Sequence, residues 1–271
     1  MNTKKRHHSI KRKTKETSIE LDLNIDGEAK STIQTGIGFF DHMLDLFTNH
    51  GLFNLNVIVK GDLHVDFHHS VEDVGICLGI AFKEALGDCK GINRFANVLV
   101  PMDEALCECA IDICNRPFLG FKHSFNKEKV GDFDAELVEE FLNAFANNAR
   151  LSLHMSILKG TNTHHKIESC FKALGQCLDK ATQFDIRKSG IPSTKGILKM
   201  NTVLNESQLE ESIFSLTNQI ALTLTKDTIL LGIDLKGKIL AKRIADKLTK
   251  LKSISPKVGQ LEVSLYKPIE E

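Results

Sequence analysis

The chain carries one short pattern twice, His68-His69-Ser70-Val71-Glu72 and His164-His165-Lys166-Ile167-Glu168, each time opening a long helical periodicity. The segments upstream also match. FFDHMLDLFTNHG and VEEFLNAFANNAR both read as amphipathic helices, and each continues into a short strand and a glycine before its doublet. His42 precedes His68 by 26 residues, and Glu140 precedes His164 by 24. Such a repeat restricts the fold to two similar α/β halves, about 16–92 and 93–198, each a sheet backed by helices. The element order predicts an α+β class rather than a doubly wound sheet.

Within that frame, SIELDLNI (18–25) alternates like a half-buried strand, and LNVIVKGDLHVDF reads as a strand with a glycine turn. A helix follows from His68 until Gly87 stops it. Residues 92–114 predict two strands meeting at Pro101, 135–148 a helix, 151–158 a strand, and 164–182 a second long helix. Residues 1–15 hold seven Lys or Arg and no acid, which predicts a solvated basic arm with an inert His7–His8 pair. Beyond Leu198 the character changes. A polar linker (199–211) precedes a helix starting near 212–216, a strand and turn over Thr228 to Gly237, and an amphipathic helix striped by Leu240, Ile244, Leu248 and Leu251. Residues 212–271 thus read as a small α/β extension, ending in a strand at 261–266 on the edge of an incomplete sheet.

Composition excludes several classes. Thirty-five basic residues balance thirty-five acidic ones, so no global field draws nucleic acid or an anionic membrane. Seven basic residues and one acid between 236 and 252 read as a solvated helix face. The apolar run VGICLGIAF (74–82) falls well short of the roughly 20 residues that span a bilayer. Seven cysteines without framework spacing suit reduced thiols and a cytoplasmic location.

The doublets carry the chemistry. On a helix the Glu lies on the same face as both preceding histidines. Adjacent imidazoles diverge by about 100°, so one doublet does not deliver both to one ion. Two doublets feeding two ions is the economical arrangement, and imidazole with carboxylate but no thiolate suits Mn²⁺ or Fe²⁺ as well as Zn²⁺. The candidate metal ligands are His42, His68, His69, Glu72, Glu140, His164, His165 and Glu168. Glu140 occupies the repeat position of His42. His154, whose repeat mate is near Asn56, competes with it for the second half.

Several longer stretches, TGIGFFDHML, GDLHVDFHHSVEDVGI, VPMDEAL, GDFDAELVEEF, GTNTHHKIESCFKAL and IPSTKGIL, occur in order between Arg12 and Leu198. Together they resemble the successive signatures of the imidazoleglycerol-phosphate dehydratase family. The resemblance implies a hydro-lyase of histidine biosynthesis that converts imidazole-glycerol phosphate to imidazole-acetol phosphate. It implies two Mn²⁺ ions per active site, an imidazolate form of the substrate, and a large homo-oligomer (a 24-mer in the family) with sites at subunit interfaces. It assigns acid–base work to Glu16, with His42, His69, Glu72, His165 and Glu168 completing the catalytic set. The matching substrate-phosphate residues are Arg94, Arg116, Lys172, Ser193, Thr194 and Lys195, and Asp103 is implied to orient a metal-bound histidine. Leu46 departs from the family, where Gln is frequent, and removes a polar contact. Glu140 stands where some members have His.

The extension, with NQIALTLTKDTILLGIDLKGKILAKRIADKL and VGQLEVSLYKP, resembles the N-terminal part of a pyrimidine-operon regulator of phosphoribosyltransferase fold. That family's Thr-Arg-Gly turn is replaced by Leu235-Lys236-Gly237, and its paired acids and phosphate loop have no counterpart, so no transferase activity is expected. The alternative function is a catalytically inactive metal-binding regulatory or structural protein whose basic tail contacts nucleic acid. Glu16, both doublets and the phosphate residues favour the enzyme.

Overall fold

The computed structural model describes residues 6–193, 206–221, 229–252 and 254–261. Two compact units are present, Met1–Met200 and Asn201–Glu271. The first unit is a duplication. Its first half runs β1 (His7–Lys13), β2 (Thr17–Asn24), β3 (Lys30–Gln34), α1 (Gly38–Gly51), β4 (Asn54–Gly61) and α2 (His68–Leu86). The second half runs β5 (Phe95–Met102), β6 (Ala105–Asp112), β7 (Phe118–Lys122), a short hairpin of β8 (Lys129–Val130) and β9 (Phe133–Asp134), α3 (Leu137–Ala149), β10 (Ser152–Lys159) and α4 (Thr163–Thr182). Each half forms a four-stranded sheet of the same topology, β1-β2-β4-β3 and β5-β6-β10-β7. In each sheet the last pair is parallel and the others antiparallel. The expected α+β class with two similar sheet-and-helix halves is therefore the observed one.

Strand alternation decides which face meets the helices. Ile19, Leu21 and Leu23 of β2 and Leu55, Val57 and Val59 of β4 are buried, as are Cys107, Cys109 and Ile111 of β6. The helices pair across the halves, α1 with α4 and α2 with α3. Phe40 meets Phe141 edge-on at 5.5 Å, and Phe141 stacks on Phe171 at 5.2 Å, so one aromatic core joins both halves. Repeat-equivalent glycines allow the close helix crossings. A Cβ on Gly175 of α4 would lie 2.4 Å from the Phe47 carbonyl oxygen of α1, and one on Gly79 of α2 would lie 2.7 Å from that of Phe145 on α3.

Two local expectations are corrected. The segment 7–13 is a strand rather than a solvated arm, because it pairs with β2 along its whole length and its polar side chains meet acids on neighbouring elements. Lys11 pairs with Glu20 at 2.9 Å, His7 with Asp22 at 2.7 Å and Arg12 with Asp73 at 2.5 Å. Strands β5 and β6 turn at Asp103 and Glu104, not at Pro101, which sits inside β5. An edge strand tolerates proline because its outward positions need no ladder donor.

In the second unit, α5 (Glu206–Ala221) begins before the expected helix start and includes residues 206–211 of the expected linker. Strand β11 (Ile229–Ile233) leads directly into α6 (Asp234–Lys252), which replaces the expected turn at 234–237. β12 (Lys257–Leu261) pairs in parallel with β11. The expected strand 261–266 lies beyond the described residues except for Leu261. Along α6 the buried stripe is Ala241, Ile244, Ala245 and Leu248, while Leu240 is exposed. The side chain of Leu251 lies outside those described.

Candidate metal and active site

On α1 the inward positions are taken by Phe40, Met43, Leu44 and Phe47, which leaves His42 on the rim facing α4. On α4, His164, Glu168 and Lys172 recur every four residues and stand in one row. The crossing brings these faces together. Glu168 Oε1 lies 2.7 Å from His42 Nε2 and 3.3 Å from His164 Nε2, and Lys172 Nζ donates to Glu168 Oε2 at 3.0 Å. One donor atom from each of His42, His164 and Glu168 falls within 4.8 Å of the other two, the spacing of a cation site. Burial opposes ionisation of Glu168, but Lys172 and the two imidazoles outweigh it and hold the carboxyl at about 2. The carboxylate is thus available to a cation at any ordinary pH. Phe39 packs edge-on against the His164 ring at 5.1 Å and fixes its plane. A cavity of about 510 Å³ opens beside His42, walled by Gly36, Phe39, Phe67, Gly131 and Phe133.

The first doublet lies at the start of α2. His68 Nε2 is 3.9 Å from Glu72 Oε2, one turn along the helix. His69 turns the other way, with Nδ1 3.0 Å from Asp62 Oδ2 and Nε2 3.9 Å from Glu16 Oε1. The hydrogen bond to Asp62 raises the His69 pKa above its ordinary value. Glu16 occupies the tight β1–β2 turn, where Thr14 Oγ1 accepts the backbone N–H groups of Glu16 and Thr17. Buried Asp73 of α2 binds Thr17 and Arg12, which staples this turn to the helix bearing His69. In the second doublet His165 Nδ1 lies 2.8 Å from Glu104 Oε2. Glu104 Oε1 also accepts the backbone N–H groups of Thr161 and Asn162, and these bonds, led by that of His165, hold its carboxyl far below the usual range.

Other expected site residues sit elsewhere. Among the described residues no three-donor cluster includes Glu140, Glu72 or either second histidine of a doublet. Glu140 is half-buried on α3, and His154 is exposed on the outer face of the second sheet with its ring tilted against Phe118. Leu46 packs against the core as a partly buried apolar side chain. Asp103 is 70% exposed and lies 3.7 Å from His165 Nε2, so Glu104 rather than Asp103 holds this histidine. Lys172 keeps company with Glu168 instead of the other expected phosphate residues.

Those residues gather at the opposite end of α4. Arg94 forks onto Asp112 at 2.7 and 3.2 Å, donates to the Pro192 carbonyl at 2.8 Å, and its backbone N–H bonds the Ala181 carbonyl. Arg116 lies 3.8 Å from the same Asp112 and is 69% exposed. Ser193 follows Pro192 directly, while Thr194 and Lys195 lie outside the described residues. From Ala181 back to His164 the helix rises about 25 Å at roughly 1.5 Å per residue. Within one chain, the cation cluster and the arginine corner therefore lie much farther apart than a small phosphorylated molecule reaches. The sequence held no signal for Asp62 or Glu104, because each acts on a histidine through a turn whose path only the fold reveals.

Duplicated sheet-and-helix halves carrying an imidazole–carboxylate cluster define the class: an α+β protein with a site suited to a divalent cation. The sequence profile of the family described as Imidazoleglycerol-phosphate dehydratase matches residues 35–178, which include both doublets, His42 and Glu140. The chain is 58% identical over 193 residues to the imidazoleglycerol-phosphate dehydratase of Geobacillus sp. (strain WCH70), covering 71% of this chain and 99% of that one. Against the same enzyme of Bacillus licheniformis the identity is 57% over 187 residues, 69% of this chain and 96% of the relative. Among solved structures, the Staphylococcus aureus enzyme superposes with a TM-score of 0.61 at 41% identity, covering 66% of this chain and 99% of that one. The chain belongs to the imidazoleglycerol-phosphate dehydratase family. No helix among the described residues is long and apolar enough to cross a membrane.

Proposed function

We propose that this protein is a hydro-lyase of histidine biosynthesis, removing water from imidazole-glycerol phosphate to give imidazole-acetol phosphate. The observation that carries the reading is the convergence of His42, His164 and Glu168 on one point within the stretch that matches the family. Nitrogen and carboxylate donors without thiolate fit Mn²⁺, and we assign two such ions to each site. The second ion would use His68, Glu72 and Glu140, the repeat counterparts of the observed cluster, with His69 and His165 completing the two shells. When bound, the ions supply Lewis acidity to the substrate's imidazole ring.

The chain's own residues do the rest. Glu16, stapled beside His69 and open to solvent, takes and returns the proton. Arg116 offers guanidinium donors to the phosphate, and Arg94, locked on Asp112, fixes the corner where Ser193, Thr194 and Lys195 join it. Lys172 holds the Glu168 carboxylate in register. The separation of about 25 Å between the two ends of α4 supports a site shared between chains of a homo-oligomer, with one copy supplying the cation cluster and another the phosphate corner. The second unit lies outside the matched stretch and has no part in this reaction. We read it as a piece that resembles part of a phosphoribosyltransferase fold.

Growth of a dehydratase-deficient histidine auxotroph supplied with this chain tests the reading. Growth without histidine is expected. Failure to grow with soluble protein present would return the balance to an inactive metal-binding protein.

A further inference from the structure

Both second histidines of the doublets are gripped in the same way from places that the duplication does not relate. His69 Nδ1 meets Asp62 at 3.0 Å, and Asp62 comes from the turn between β4 and α2, seven residues earlier. His165 Nδ1 meets Glu104 at 2.8 Å, and Glu104 comes from the β5–β6 turn, 61 residues away. The counterpart of the Asp62 turn in the second half lies between β10 and α4 and contains Gly160, Thr161 and Asn162, with no acid. A contact inherited through duplication would use matching positions. Here the same bond has been reached by two routes, which points to a demand placed on the imidazole itself.

The surroundings of Asp62 support this. Its Oδ1 is buried without a hydrogen-bond partner, so the carboxylate is not there to satisfy the fold. Glu104 does cap the loop before α4 through Oε1, and it spends Oε2 on His165. An ionised carboxylate can only accept, so on a neutral ring each contact favours Nδ1–H and leaves Nε2 as the bare nitrogen. Both Nε2 atoms also turn toward another acid, Glu16 at 3.9 Å and Asp103 at 3.7 Å.

We propose that Asp62 and Glu104 are positioning residues that lock His69 and His165 in the Nδ1–H tautomer, so that each presents Nε2 to a cation. The inference rests on the metal reading above only in its last clause. A free neutral imidazole prefers no such orientation, and a ligand that must rotate and change tautomer binds more weakly. Outer partners of metal-bound histidines are typically worth about 10–100-fold in metal affinity.

The test starts with the metal-free full chain, ¹⁵N-labelled at histidine, in long-range ¹⁵N–¹H correlation spectra at a pH where the rings are neutral. The wild-type spectrum should show His69 and His165 protonated at Nδ1 with Nε2 bare. Asp62→Ala should release His69 and leave His165 unchanged. Glu104→Ala should do the reverse, and Glu104→Gln, which keeps the loop-capping oxygen, guards against a merely unfolded loop. Mn²⁺ affinity should fall about 10–100-fold in Asp62→Ala, with unchanged circular dichroism. Wild-type rings protonated at Nε2, or variants that leave both tautomers unaltered, would overturn the proposal. So would a released tautomer with full Mn²⁺ affinity. Wild-type protein with locked tautomers that binds no Mn²⁺ would instead overturn the metal reading and keep the locking.

Discussion

Gly175→Ala sets two physical effects of opposite sign against each other. Alanine is the better helix former by about 1 kcal/mol, so propensity alone stabilises the variant. Position 175 is where α4 crosses α1, and the new methyl would sit 2.4 Å from the Phe47 carbonyl oxygen and 3.0 Å from the Gly51 backbone nitrogen. An ordinary contact needs about 1 Å more, and the obstacle is backbone that no rotamer change removes. Overpacking costs roughly 1–3 kcal/mol, and a backbone obstacle puts this case at the upper end, so after the propensity gain of about 1 kcal/mol the net loss should be about 2 kcal/mol. For a unit of this size that corresponds to a midpoint about 4–8 °C lower. Because the same crossing sets His42 against Glu168, the variant should also bind Mn²⁺ more weakly. Thermal unfolding followed by circular dichroism reads the first effect and calorimetric titration the second. Gly38→Ala, where an added Cβ meets nothing within 4 Å, is the control and should show no loss. A Gly175→Ala protein as stable as wild type or more so would refute the close-crossing argument.

Other expectations follow from the same geometry. Glu16→Gln should leave Mn²⁺ binding intact while kcat falls roughly 10²–10⁴-fold in a dehydration assay, the usual cost of a lost acid–base group. Glu140→Gln should lower metal content by an order of magnitude or more by elemental analysis, whereas His154→Asn, on the outer sheet face, should not. Asp26, held below its ordinary pKa by the hydrogen bond from Arg6, contributes stability at neutral pH that is lost as pH falls through its lowered folded value. Asp26→Asn should therefore cost up to about 1 kcal/mol at pH 7 and progressively less as pH falls below the ordinary aspartate range in denaturant titrations, since half-exposed pairs are worth little more. Truncation after Leu198 should preserve dehydratase activity and assembly, since the family profile matches residues 35–178 and a relative is covered over its whole length by 193 residues of this chain.

What the sequence revealed, and what it hid, divides along physical lines. The duplicated helices were legible because 3.6-residue periodicity and the doublets are local, and the helix end at Gly87 is written in one residue. β1 was hidden because seven cations in fifteen residues look solvated until acids from elsewhere, Asp26 beside Arg6, Glu20 beside Lys11 and Asp73 beside Arg12, are brought alongside. β3 and β7 gave no signal of their own, since each is a short edge strand whose single parallel partner is far along the chain. At the site, His42, His164 and Glu168 could be named in advance from the repeat, but their meeting across α1 and α4 could not. The matching of His42 to Glu140 predicts equivalent roles in the two halves. It says nothing of which helix each faces, and that is set by the glycine crossings. Asp62 and Glu104 stayed invisible for the same reason: their partners are chosen by turns.

The most direct measurement is turnover of imidazole-glycerol phosphate by the purified full chain, with product quantified before and after chelation and after Mn²⁺ is restored. The account predicts formation of imidazole-acetol phosphate, loss of activity on chelation, and recovery with about two Mn²⁺ per chain. No product from metal-loaded, correctly folded protein, or full turnover after the metal is stripped, would contradict it.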